Sequence, residues 1–145
     1  MSAVDQRRTV MNAGCTTSAI RFVEADAPVD FTLANDVDVE TIENDVANYK
    51  SIALVFPKWT DGRAYTQARL LRVRYRFAGE IRATGEVLVD MMPLLARTGF
   101  DAVTLRADQS QEGAERALSF FPGGHYQGDT IEALPRFRRL AAGAR

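Results

Sequence analysis

The sequence predicts a single α/β domain of about four strand-helix units around a parallel sheet, and three observations lead there. Ile52-Ala53-Leu54-Val55-Phe56 is a continuous apolar run stopped by Pro57, the mark of a strand buried on both faces. From there to Leu105, apolar stripes at helical spacing alternate with short apolar runs, and the links between them are short. Strands alternating with helices pair in parallel through right-handed crossovers, which brings the carboxyl ends of all strands to one edge. Two architectures fit: an open, doubly wound sheet with helices on both faces, or a half-barrel with helices on one face, which a second copy in a homodimer would complete.

Residues 1–19 are rich in Ser, Thr, Asn and Asp without periodicity, so they are set aside as a mobile lead-in to a domain at 20–128. Val29, Phe31 and Leu33 alternate with polar neighbours and predict the first strand. Val39, Ile42 and Val46 follow at helical spacing behind Asp38, a capping residue, and predict a short acidic helix. After the strand at 51–56, Thr60 or Asp61 can cap a helix whose stripe is Ala64, Ala68, Leu71 and Tyr75, with Arg69, Arg72 and Arg76 off it. Ile81 and Ala83 mark a strand at 80–84. Val87, Leu88, Met91, Leu94 and Leu95 mark a helix that Pro93 either kinks or starts late and that Gly99 ends. Residues 100–105 form a further strand, and 111–121 a helix broken by Pro122-Gly123-Gly124. The tail, 129–145, is expected to be partly helical.

Composition narrows the function classes. At 145 residues, with 46% hydrophobic and 26% charged, the chain supports one compact core. A net charge of -1 argues against holding nucleic acid by bulk charge. The charge is unevenly placed: every charged residue from Glu24 to Asp45 is acidic, whereas residues 63–82 carry six arginines against Glu80 alone. Cys15 is the only cysteine, which excludes an intrachain disulfide and a CxxC pair. No apolar run approaches the roughly 20 residues of a membrane span, and the amino terminus lacks a signal's apolar centre, so a soluble cytoplasmic protein is expected.

The turn leaving the 51–56 strand, Lys58-Trp59-Thr60-Asp61-Gly62-Arg63, is the densest set of special residues in the chain. Helix amino termini point free N–H groups at the carboxyl edge of a parallel sheet, and ligands collect there. The residues expected on that edge are Asn35 and Asp36; Lys58, Asp61, Gly62 and Arg63; Arg82 and Thr84; and Arg106 with Asp108. Lys58, Arg63, Arg82 and Arg106 converging on a helix amino terminus would bind a small anion such as phosphate, sulfate, sulfite or a substrate carboxylate. Asp61 and Asp90 are the acid-base candidates should the site be catalytic. A purely structural role competes: Asp61 capping its helix, Gly62 making a tight turn, and Arg63 pairing with Asp108 or Glu86.

Other signals point away from cofactors. His125 is the only histidine and sits in a Gly-rich loop, so no metal site is expected. The glycines form neither GxGxxG nor GxxxxGK[ST], so no nucleotide cofactor is predicted. Trp59 is expected to pack the helix entry as half of a hydrophobic staple. The Arg69, Arg72 and Arg76 stripe suits an acidic partner or solvent better than nucleic acid.

The string Phe56-Pro57-Lys58-Trp59-Thr60-Asp61-Gly62-Arg63-Ala64-Tyr65-Thr66-Gln67-Ala68-Arg69, with Gly79-Glu80-Ile81-Arg82-Ala83-Thr84-Gly85, Asp90 and Arg97-Thr98-Gly99-Phe100-Asp101, closely resembles the bacterial domain-of-unknown-function family 934. The resemblance covers roughly residues 29–127 and leaves the tail beyond Gly128 outside. It departs from the family pattern at Met91, where relatives commonly carry Gln, at Thr66 for Ser, and at Thr98 for a frequent Cys. That family is typically encoded beside sulfite reductase and other sulfate-assimilation genes and is often labelled a probable oxidoreductase of sulfite reduction. The resemblance therefore implies an accessory role in sulfite reduction, docking on the reductase or its electron donor, with the arginine-rich and acidic faces as docking surfaces. The alternative is a small enzyme acting on a sulfur or phosphate oxyanion.

Overall fold

The computed structural model describes residues 20–121, 127–130 and 132–142. Five strands form one all-parallel sheet: β1 (Arg21–Phe22), β2 (Phe31–Leu33), β3 (Ser51–Phe56), β4 (Glu80–Gly85) and β5 (Ala102–Val103), in the spatial order β1-β5-β4-β3-β2. From β2 to β5 each strand lies beside its predecessor, so every crossover steps the same way. Right-handed connections that all step one way place their helices on a single face. The crossover helices are α1 (Arg63–Val73) and α2 (Met92–Thr98), and α3 (Gln111–Leu118) follows β5 and packs beside α2. With β1 and β2 as its two edges, the sheet is open and not closed into a barrel.

One sheet face builds the core. Leu33, Ile52, Leu54, Phe56, Ile81, Ala83 and Val103 project there and meet Ala64, Ala68 and Leu71 of α1, Met92 and Leu95 of α2, and Ala114 and Ala117 of α3, all buried. Small alanines on α1 and α3 let the helices approach the sheet closely. Phe56 packs edge-on against Tyr65 at 5.0 Å between ring centroids, and Phe100 closes the trio at 5.9 Å from Phe56.

The opposite face is organised by Arg82. Ala53, Arg82 and Ala102 are in register across β3, β4 and β5, and the two alanines leave room for the guanidinium of Arg82, a residue only 6% exposed. Arg82 donates to the carbonyls of Ala27 (2.9 Å) and Pro28 (3.2 Å) and to Glu80 Oε1 (2.7 Å). Glu80 also pairs with Arg21 of β1. Because β1 and β2 lie on opposite edges, the connection between them must traverse the sheet, and Arg82 holds it as it crosses.

The expected short helix after β2 is instead two 3-10 turns, Val39–Ile42 and Val46–Asn48. Asp38 caps the first as expected, accepting from the Glu40 N–H at 3.1 Å, but Val39, Ile42 and Val46 bury too narrow a stripe to sustain an α-helix. The helix expected from Val87 begins with a 3-10 turn, Val89–Met91, and Pro93 enters α2 at its first turn, so the proline marks a late start and not a kink. Gly99 ends α2 at φ 104°, the left-handed cap anticipated for it. The last strand is two residues long, shorter than the expected 100–105, and α3 stops at Leu118. A further helix, α4 (Arg136–Ala142), lies in the tail.

Candidate functional site

The loops leaving β2, β3, β4 and β5 meet at the carboxyl edge, where hydrogen bonds stitch them in sequence. Asn35, only 9% exposed, donates its amide to Asp61 Oδ2 at 2.7 Å, joining the first loop to the second. Gln67, one turn into α1, donates to the carbonyls of Ala34 and Val37, both at 2.8 Å. The Trp59 N–H donates to Glu86 Oε2 at 3.2 Å, joining the second loop to the third. Arg106 N–H reaches the Val87 carbonyl at 3.1 Å and the Val89 N–H reaches Gln109 Oε1 at 3.0 Å, joining the third to the fourth.

Lys58 to Asp61 is a β-turn closed by the Asp61 N–H on the Lys58 carbonyl at 3.0 Å. Asp61 then faces Arg63: its carboxylate accepts from the Arg63 backbone N–H at 3.2 Å and from the guanidinium at 2.7 Å. These bonds from Arg63 hold the Asp61 carboxyl well below the usual carboxylate range, and the same pairing raises Arg63. Asp61 therefore occupies the position before the helix and satisfies a first-turn N–H, while Gly62 takes the cap position without a side chain. Arg63 pairs with Asp61 and with neither Asp108 nor Glu86. Arg106 is taken by Asp108 at 2.6 Å, which holds the Asp108 carboxyl down to about 2.

Of the residues expected to converge, Lys58, Asp61, Gly62, Arg63 and Arg106 lie on the carboxyl-edge loops. Arg82 does not: strand alternation turns it onto the face away from the helices, where it clamps the crossing segment. Asp90 is exposed in the 3-10 turn after β4. The Asp61 carboxyl, held low by Arg63, is the opposite of the raised carboxyl of a general acid. The Tyr65 hydroxyl, by contrast, is pushed up to about 12 by burial. Trp59 is 55% exposed, so it does not staple the helix entry. Arg72, expected on the outer arginine face, turns inward: it donates to the carbonyls of Gly99 (2.9 Å), Phe77 and Gly79 (both 2.8 Å) and pairs with Asp101. Gln67 escaped notice in the sequence, although a polar residue between Ala64 and Ala68 on the buried stripe was a signal. Cys15, His125 and Tyr126 lie outside the described residues.

A family model described as "Bacterial protein of unknown function (DUF934)" matches residues 30–137. The chain belongs to that family. The DUF934 match continues past Gly128, where the resemblance was expected to stop, and takes in the segment entering α4. That segment is tied to the domain by Thr130, whose N–H and hydroxyl both donate to the Arg97 carbonyl, at 3.1 and 2.7 Å. No curated protein and no solved structure matches the chain. Position 91, where a departure from the family pattern was noted, has a structural use here. Met91 is 7% exposed and its Sδ accepts the Leu88 N–H at 3.2 Å, closing the 3-10 turn as a capping-box side chain does. A Gln there could accept the same Leu88 N–H with its amide oxygen. Thr98 likewise turns its hydroxyl onto the Leu94 carbonyl at 2.9 Å. Among the described residues no helix is long and apolar enough to cross a membrane.

Proposed function

We propose that the chain is a cytoplasmic accessory protein of assimilatory sulfite reduction that works by docking on sulfite reductase or on its electron donor. Family membership supports the pathway, through the gene association that the resemblance carries. The observation that favours docking over small-anion chemistry is the state of the arginines. Arg63 is neutralised by Asp61, Arg106 by Asp108, and Arg82 is buried on the other face. A small oxyanion would have to displace the chain's own carboxylates from these cations. The same edge leaves Trp59 half in solvent on a braced turn, a disposition suited to a protein surface.

Growth of a strain lacking the chain on sulfate, sulfite, sulfide or cysteine as sole sulfur source tests this reading. Failure on sulfate and sulfite with rescue by sulfide is expected. Equal growth on all four overturns it.

A further inference from the structure

We infer that the turn Lys58-Trp59-Thr60-Asp61 is the docking anchor, with the Trp59 indole entering an apolar pocket rimmed by carboxylates on the partner protein; this rests on the docking function proposed above. Three observations carry it. The first is exposure: among the described residues Trp59 is one of the few large apolar side chains more than half exposed, and the only one of these on a carboxyl-edge loop. Leaving an indole in water forgoes the burial that aromatic side chains ordinarily gain, and tryptophan is the residue most enriched among interface anchors.

The second is rigidity. The turn is closed by its own Asp61-to-Lys58 hydrogen bond, its Trp59 N–H is held by Glu86, and its Asp61 carboxylate is held by Asn35 and Arg63. The side chain is therefore presented by a backbone fixed from three directions, so little ordering entropy is lost when a partner receives it.

The third is charge. The exposed positions of the tip are Pro57, Lys58, Trp59, Thr60, Gly62 and Arg63. Arg63 is 60% exposed, whereas its partner Asp61 is 22% exposed and turned inward. Arg63 offsets its charge against Asp61, so Lys58, exposed and in none of the ion pairs among the described residues, is the cation left beside the indole, which fits a partner whose pocket rim is acidic.

Trp59 is the only tryptophan in the chain, so 5-fluorotryptophan labelling gives a single 19F resonance that reports this site alone. The labelled protein is titrated separately with sulfite reductase holoenzyme and with its electron donor, and affinities are compared for wild type, Trp59→Ala and Trp59→Phe. The expected result is a shift of the resonance on binding of one of the two proteins. Trp59→Ala should weaken affinity by about tenfold or more, with Trp59→Phe in between. Lys58→Glu should weaken binding most at low ionic strength, with the gap to wild type narrowing as salt screens both the lost attraction and the new repulsion. Equal affinity of wild type and Trp59→Ala overturns the anchor while leaving docking intact. No binding to either protein overturns the docking reading and the anchor with it. A shift produced by sulfite or adenylyl sulfate alone overturns the anchor in favour of a small-molecule stacking site. Because Trp59 is exposed, Trp59→Ala should keep the wild-type melting temperature, and that check separates lost contact from lost fold.

Discussion

Asn35 and Asp61, 26 residues apart, meet at 2.7 Å and join the loop after β2 to the loop after β3. The same carboxylate carries Arg63, so one side chain sets both the spacing of two loops and the direction of the α1 entry.

The pH dependence of stability should reflect this. A carboxylate held low in the folded state contributes stability above its unfolded pKa and loses it as the pH falls toward the folded value. Arg63 and Arg106 lower Asp61 and Asp108 in this way. Denaturation midpoints should therefore drop as the pH falls below about 4, and Asp61→Asn should be less stable than wild type at neutral pH, the gap narrowing below that point. A gap that does not change with pH would mean that the Asp61 charge is not what stabilises the turn.

Arg82 should matter for the fold and not for a ligand. Arg82→Met strips the donors from the Ala27 and Pro28 carbonyls in a buried site and should cost about 2–4 kcal/mol. Urea unfolding monitored by far-ultraviolet circular dichroism measures it. A variant of unchanged stability would return Arg82 to the pool of ligand-binding candidates.

Met91→Gln should stabilise the protein by about 0.5–1 kcal/mol, since an amide oxygen is a better acceptor for the Leu88 N–H than a thioether. Thermal melts of the two proteins decide it, and a loss of stability would mean that the pocket around Met91 tolerates no polar atom.

The oxyanion alternative makes a separate prediction. With its arginines engaged, the chain should show no thermal shift in millimolar sulfite, sulfate or adenylyl sulfate. A rise that disappears in Arg63→Ala would favour the oxyanion site over docking.

The parts of the fold legible in the sequence are those whose residues carry their own pattern. Ile52 to Phe56 announces β3 because every side chain there is apolar and buried or nearly so, and Gly99 announces the end of α2 because its φ of 104° suits no other residue as well. β1 was not legible: two residues hold no period, and Arg21 and Phe22 become a strand only because β5 is there to pair them. The site was half legible. The loop residues of the edge follow from strand order alone, but the facing of Arg82 depends on where within β4 it falls. The reach of Arg72 depends on a flexible stem that helical spacing does not describe.

The far edge of the sheet has a bearing on how the chain comes into being. Arg21 and Phe22 can pair only with Ala102 and Val103, so the earliest strand to be synthesised must wait for nearly the latest. During synthesis β2, β3 and β4 can assemble stepwise as each neighbour emerges from the ribosome, while Arg21 and Phe22 have no strand to pair with until β5 is made. Only the pairing of Arg21 and Phe22 has to follow β5, so at that edge the first strand translated is among the last that can be paired.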